Sequence, residues 1–262
     1  MSGWQLSGDA PSLYNRFAIR AMEQWTDDLI RQANCRDGER VLDVACGTGF
    51  VTLRIKEVSG ANCELTGLDV NEGMLNAARK NAGVNWQLGS ATAMPFPDAS
   101  FDVVLCQQGL QYFPDRQAAM NEIARVLVPG GRVSLNVWGR IERQAFFGVF
   151  VDACAEILGP ETRATFDLNF SLNTSEELHR LALGAGLKNA KVRFEHKTMR
   201  APDASEFGMG FVQASPVAGK FLALSEADKQ RFGAFIARQL SSYMDDAGMA
   251  VPQENHFLLA YR

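Results

Sequence analysis

The segment Val41-Leu-Asp-Val-Ala-Cys-Gly-Thr-Gly49 constrains this chain more than any other. Arg40 to Ala45 is a short apolar run of the kind that forms a buried strand. It carries Asp43 to the edge of a glycine-rich turn. Residues without side-chain bulk suit a turn whose backbone must lie against a ligand. A helix follows to about Val58, then a second strand from Cys63 to Asp69, which stands 20 residues past Gly49. In a nucleotide-binding βαβ unit an acid at that place accepts hydrogen bonds from ribose hydroxyls. A plain strand–turn–helix would explain the glycines alone. A dinucleotide fingerprint needs a third glycine, where this chain has Thr52.

The alternation continues with a helix over 72–81, a strand over 84–88, a loop at Met94-Pro-Phe-Pro-Asp98 and a strand over 101–107. A helix over 116–127 stops at Pro129-Gly-Gly131, and a strand covers 132–138. Apolar residues at helical spacing (Leu13, Phe17, Trp25, Leu29) predict an amphipathic helix over 12–34. Strands alternating with helices at this spacing build a parallel sheet covered on both faces. The pattern changes after residue 139. A helix is expected over 142–158, and Thr174-Ser-Glu-Glu177 has the spacing of a capping box opening another. A strand over 190–199, helices around 206 and over 227–244, and a last strand over 254–261 complete the reading.

Composition excludes several classes. Acidic residues number 30 against 26 basic, a net charge of −4, so nothing steers the chain toward nucleic acid or anionic membranes. No apolar run approaches the roughly 18 residues of a membrane span. The segment from Met1 to Ala10 lacks the basic-then-apolar order of a secretory leader. Cys35, Cys46, Cys63, Cys106 and Cys154 are odd in number and scattered, which points to reduced thiols and a cytoplasmic protein. Of 17 Phe, 12 lie after residue 139, so the two parts of the chain are expected to do different jobs.

Asp43 four residues ahead of Gly47 gives Asp-x-x-x-Gly-x-Gly, and this resembles the first motif of the class I S-adenosylmethionine (SAM) methyltransferases. Further segments resemble the family in order: Gly67-Leu-Asp-Val-Asn-Glu-Gly-Met-Leu75, Gly89-Ser-Ala-Thr-Ala-Met-Pro-Phe96, Phe101 to Gln108 and Glu122 to Arg132. The resemblance is to the methyltransferase type 11, ubiquinone/menaquinone-biosynthesis-like branch. It is strong over 40–138 and holds only in outline beyond. It implies a Rossmann-like, doubly wound α/β sheet of seven strands, mostly parallel with the last strand antiparallel, and a helical cap inserted around the last two strands. Residues 1–139 then hold the N-terminal helix and the SAM-binding core. Residues 140–262 hold the cap insertions and the two strands that finish the sheet, all one domain.

The resemblance also assigns roles. SAM, leaving as S-adenosylhomocysteine (SAH), is expected against Ala45, Cys46 and Gly47, with Asp69 and Val70 at the ribose and Met74 over the adenine. Ser90, Ala91 and Thr92 fall at the adenine edge, where the family's usual Asp is Ser90 here. Gln107 ends the fourth strand, and Asp43 organises the glycine turn or meets the cofactor's amino-acid end. Tyr14 is a candidate to fold over that end, with core packing the equal alternative.

On the acceptor side, Gln107, Gln108 and Gln111 follow the fourth strand, at the sheet edge where ligands bind. The family often has His where Gln111 stands, and an amide cannot act as a base at neutral pH. Trp138, Phe146, Phe147, Phe207 and Phe211 are acceptor candidates, with membership of the cap's core the plainer reading of the Phe residues. His179, His196 and His256 read as structural, and no acidic cluster suggests a metal. The expected reaction is methyl transfer to a small apolar or aromatic acceptor, at C, N, O or S. The other readings are a SAM-binding protein without transferase activity and an NAD(P)-dependent oxidoreductase; a homodimer stays an open state of association.

Overall fold

A computed structural model describes residues 10–262. Residues 1–9, on which the expectation of no secretory leader falls, lie outside the described ones. The chain resolves into two compact units. The sheet unit is Trp25–Trp138, Leu172–Glu195 and Asn255–Arg262; the helical unit takes the segment up to Gln24, Gly139–Ser171 and His196–Glu254.

The strands are β1 (Arg40–Val44), β2 (Glu64–Asp69), β3 (Asn85–Leu88), β4 (Phe101–Gln107), β5 (Leu127–Trp138), β6 (Lys188–Ala201), β7 (Met244–Asp245) and β8 (Gly248–Tyr261). Their order is β3-β2-β1-β4-β5-β8-β6, with β7 paired to β8. β1 to β5 pair in parallel, and β8 runs antiparallel to β5. The expected seven strands are thus joined by an eighth of two residues, Met244 and Asp245, which pair with Met249 and Gly248.

Successive side chains on a strand point to opposite faces, and this sorts the sheet unit. On one face Leu42, Val44, Val104, Cys106, Val133, Leu135 and Val137 form an apolar cluster with α5 (Arg116–Val126) and α8 (Ser175–Gly184). Burying such side chains stabilises by about 1.5–3 kcal/mol each before chain entropy is charged. The alternate residues, Asp43, Ser134 and Asn136 among them, face α2 (Ile19–Ala33) and α3 (Phe50–Ser59). Ser134 Oγ donates to Leu29 O at 3.0 Å, and Gln32 Nε2 donates to Leu258 O at 2.9 Å. β2 leads to β3 through α4 (Glu72–Ala78).

The N-terminal helix departs from a regular one. α1 (Ala10–Leu13) passes into a π-helical turn at Tyr14–Ala18 before α2 begins. Such turns are rare and concentrate at functional sites. The helical unit further contains α6 (Ala145–Ile157), α7 (Thr162–Asp167), α9 (Ala204–Gln213), α10 (Ala218–Leu222) and α11 (Glu226–Gln239). Its core is aromatic: Phe146, Phe150, Phe166, Phe207, Phe211 and Phe232 are buried in edge-to-face and stacked pairs 4.9–6.2 Å apart. The helix expected over 227–244 ends at Gln239, because the chain there turns into β7 and β8.

Candidate active site

β1 ends at Val44 and the chain turns at once. Ala45 has a left-handed backbone (φ 60°), uncommon for a residue with a Cβ, and Gly47 (φ 57°) and Gly49 (φ 87°) follow. The turn is fastened to β2: Cys46 N–H donates to Leu68 O at 3.1 Å, and Gly47 N–H donates to Asp69 Oδ2 at 2.8 Å. Asp69 Oδ1 accepts from Asn71 N–H at 2.8 Å, and Asn71 caps α4 by accepting from Met74 N–H at 3.2 Å. A carboxylate offers about four lone-pair sites, so Asp69 retains acceptor capacity. Burial raises its pKa, and the N–H groups of Asn71, Gly47 and Val70 oppose that rise.

The two glycines have different duties. A Cβ on Gly49 would collide with the Trp86 ring, so this glycine seats Trp86 and caps α3 in a left-handed turn. A Cβ on Gly47 would meet only Met74 Cε, 3.8 Å away. At Gly47 the turn therefore presents open backbone beside a thioether, flanked by a carboxylate. This arrangement fits the ribose and adenine of SAM: Gly47 and Met74 would hold the flat face, and Asp69 the hydroxyls.

Asp43 lies on the α3 side, fully buried, and accepts from Thr52 Oγ1 at 2.6 Å. Burial, with the negative charge of Asp69 adding to it, pushes its pKa up to about 7 against the pull of that hydroxyl. Thr52, where a dinucleotide fingerprint has glycine, is the partner of Asp43. Ser90 Oγ lies 2.9 Å from Thr92 Oγ1 and accepts from Thr92 N–H at 3.2 Å, so this hydroxyl closes its own turn. Ala91 packs into the apolar cluster, and Val70 is exposed.

At the exit of β4, Gln107 Oε1 accepts from Thr26 Oγ1 at 2.9 Å. Gln108 is a second left-handed residue (φ 54°), its N–H donating to Asn136 O at 3.0 Å. A Cβ on Gly109 would come within 2.8 Å of Ala45 Cβ and Cys106 Sγ. Glycine thus lets the turn Leu110–Tyr112 settle beside the glycine loop. Gln108 and Gln111 are buried with their amides 3.0 Å apart. Asn136, beside Gln107 in the β4–β5 register, was not among the expected residues. It is fully buried, and neither end of its amide has a partner among the described residues. Trp138 is buried at the end of β5.

Other reactive groups stand apart. Burial beside Asp43 and Asp69 holds the Cys46 thiol protonated, and burial takes Cys106 to about 12. His256 shares the α8 side of the sheet with Val137, 3.2 Å from Ser175 Oγ, opposite the Asn136 side. His196 lies 3.5 Å from Glu254, and His179 is exposed on α8. Among the described residues, no three His, Cys, Asp or Glu are grouped to hold a metal ion, and no helix is long and apolar enough to cross a membrane. In the helical unit, Tyr14 opens the π turn. Phe146, Phe147, Phe207 and Phe211 are each at most 3% exposed, against other rings of the same unit.

Known proteins resemble this chain in sequence and in fold. The family described as "Methyltransferase domain" matches residues 41–131. A demethylmenaquinone methyltransferase of Symbiobacterium thermophilum is 35% identical over 137 residues, 49% of this chain and 55% of that one. One of Staphylococcus aureus is 30% identical over 197 residues, 69% of this chain and 81% of that one. The chain spans about half the length of the first of these relatives. Among solved structures, a Bacillus halodurans protein described as a candidate methyltransferase superposes with a TM-score of 0.59 at 21% identity, covering 90% of this chain and 97% of that one. Haemonchus contortus phosphoethanolamine N-methyltransferase 2, solved with SAH, gives 0.54 at 18%, covering 87% and 49%. These two show likeness of fold alone. The chain belongs to the class I S-adenosylmethionine-dependent methyltransferases, in the branch that resembles the ubiquinone and menaquinone enzymes.

Proposed function

We propose that this protein transfers a methyl group from SAM to a small organic acceptor, and that its residues act by positioning. The observation that carries the reading is the fastening of Gly47 to Asp69, which sets open backbone, a thioether and a carboxylate side by side. SAM supplies a methyl already activated on a sulfonium, so the protein needs to align the acceptor and keep water away. Gln107 and Gln111 can hold an acceptor but cannot take its proton at neutral pH. The buried thiols stay protonated. An acceptor that is already nucleophilic follows from this. The relatives named as demethylmenaquinone methyltransferases make an acceptor of that kind the first to try. Trp138 remains our candidate for its apolar part.

The same reading takes the protein to be cytoplasmic, with no nucleic-acid partner; light scattering decides whether it is a homodimer. Calorimetry tests the core of the proposal. SAH is expected to bind and NAD not to. Asp69→Ala is expected to weaken SAH by roughly 1.5–3 kcal/mol, as for a charge-assisted hydrogen bond. Equal affinity in a variant with an unchanged thermal melt would sink the assignment.

A further inference from the structure

The five cysteines are scattered in the sequence, but the fold of the sheet unit brings two of them together. α2 ends at Ala33, where Asn34 takes a left-handed backbone (φ 50°) and its N–H donates to Ile30 O at 3.0 Å. Arg132 donates to Asn34 O at 2.6 Å and to Glu39 Oε2 at 2.7 Å, so the chain is pinned on both sides of Cys35. The turn after Cys35 lies along the approach to β2. Gly38 N–H donates to Asn62 O at 2.9 Å, Asn62 N–H to Asp37 Oδ1 at 2.7 Å, and Glu64 N–H to Glu39 O at 2.9 Å. Cys63 stands between Asn62 and Glu64. Its thiol donates to Arg36 O, the carbonyl of the residue after Cys35, at 3.3 Å. It also lies within hydrogen-bond reach of the Cys35 thiol. Cys35 is 6% exposed, and Cys63 is half-buried.

We propose that Cys35 and Cys63 are a site of reversible oxidation, which closes as an intramolecular disulfide when it meets a low-molecular-weight disulfide such as oxidised glutathione. Cys63 is the more accessible thiol and attacks first, as thiolate. A bond forms between its sulfur and one sulfur of the oxidant, the oxidant's S–S bond breaks, and one glutathione thiolate leaves. The Cys35 thiolate then attacks the Cys63 sulfur of the mixed disulfide and expels the second glutathione. The two cysteine protons end on the two glutathiones, and two electrons pass from the protein to the oxidant. Because the two thiols already touch, the second step needs no rearrangement of the chain.

The surroundings set the rate. Burial takes the Cys35 thiol up to about 12, and burial with the charges of Glu39 and Asp37 raises Cys63, while Arg132 pulls both down. Thiolate is scarce at neutral pH, so closure should quicken about tenfold from pH 7 to pH 8. The bridge closes a loop of about 28 residues that holds β1, the glycine turn and α3. It constrains the unfolded chain over that whole unit, which stabilises the folded one. Cys63 precedes the first residue of β2 and Asp69 is the last, so the bridge forms at the other end of this strand from the glycine turn. The inference does not rest on methyl transfer.

The test uses the full chain, folded, with millimolar oxidised glutathione as the probe and the remaining thiols then blocked with iodoacetamide. Trypsin cuts between the two cysteines after Arg36, Arg40, Arg54 and Lys56. A linked peptide pair holding Cys35 and Cys63, lighter by two hydrogens than the two peptides apart and split by dithiothreitol, therefore reports the bridge by mass spectrometry. It should form about tenfold faster at pH 8 than at pH 7. The bridged protein should melt roughly 5–10 °C higher than the reduced one, and dithiothreitol should reverse the rise. Cys35→Ser should leave Cys63 carrying glutathione, with no rise in the melt. A bridge that forms only in urea, a Cys63 that pairs with another cysteine or another chain instead of Cys35, or a bridged protein that melts no higher than the reduced one would each overturn the proposal.

Discussion

Two buried polar side chains show what single residues contribute. Asp43 was visible in the motif, but its partner Thr52 was not, because nothing in the spacing says which α3 side chain reaches back to β1. Their 2.6 Å bond does not offset the burial of the carboxyl. The folded-state pKa is raised from 3.8 to about 7, so stability is fully present below the lower value and is lost as pH rises toward the upper. Asp43→Asn keeps an oxygen for Thr52 and removes the titration. Between pH 4 and 8, urea unfolding should show the parent losing on the order of 2–4 kcal/mol relative to this variant. Asp69, also raised by burial, leaves some slope in both chains. Parallel stability curves would refute the assignment. Asn136 is the opposite case, an amide buried with no partner at either end among the described residues. Asn136→Leu, close to it in shape, should stabilise the ligand-free protein by about 1–2 kcal/mol. A loss of stability would mean that the amide is satisfied.

At the scale of elements, periodicity made most of the strands and helices legible between residues 40 and 138, since each is long enough to show its period. Thr162–Asp167 and Ala218–Leu222 escaped because a helix of five or six residues shows less than two turns of pattern. The capping box was legible only in part. Thr174 Oγ1 accepts from Glu177 N–H at 3.3 Å, as the motif predicts. The Glu177 carboxylate instead takes Arg116 of α5 at 3.0 Å, a tertiary partner that local spacing cannot reveal. α8 is therefore held at its start by α5. A double-mutant cycle should find about 0.5–1 kcal/mol of coupling between Arg116→Ala and Glu177→Ala, and none between Glu177→Ala and Thr174→Ala. Coupling in the second pair alone would restore the closed box. The site divides in the same way. The glycine turn and Asp69 sit within one βαβ unit and could be read. The bond from Thr26 to Gln107 joins residues 81 apart in sequence and could not.

For the whole molecule, the change of pattern at residue 139 marks where the chain first leaves the sheet unit, but that unit is not finished there. Leu172–Glu195 and Asn255–Arg262 also belong to it. β5 pairs with β8 from Arg132↔Tyr261 to Trp138↔Asn255, and Leu178, Leu181, Leu187, Leu258 and Ala260 complete the apolar cluster under α5. A fragment of residues 1–139 keeps every cofactor motif in its sequence. It also leaves β5 as an unpaired edge and one face of the sheet partly stripped, a state prone to aggregate. Such a fragment should show poorly dispersed amide resonances, no cooperative urea transition, and SAH binding weakened more than about 100-fold, near 3 kcal/mol. A fragment that melts cooperatively and binds SAH as the full chain does would show that the first part folds alone. The later segments would then be additions to a finished domain. The geometry favours the other outcome, because the strand that closes the sheet and the helix that covers it are supplied from the far side of residue 139.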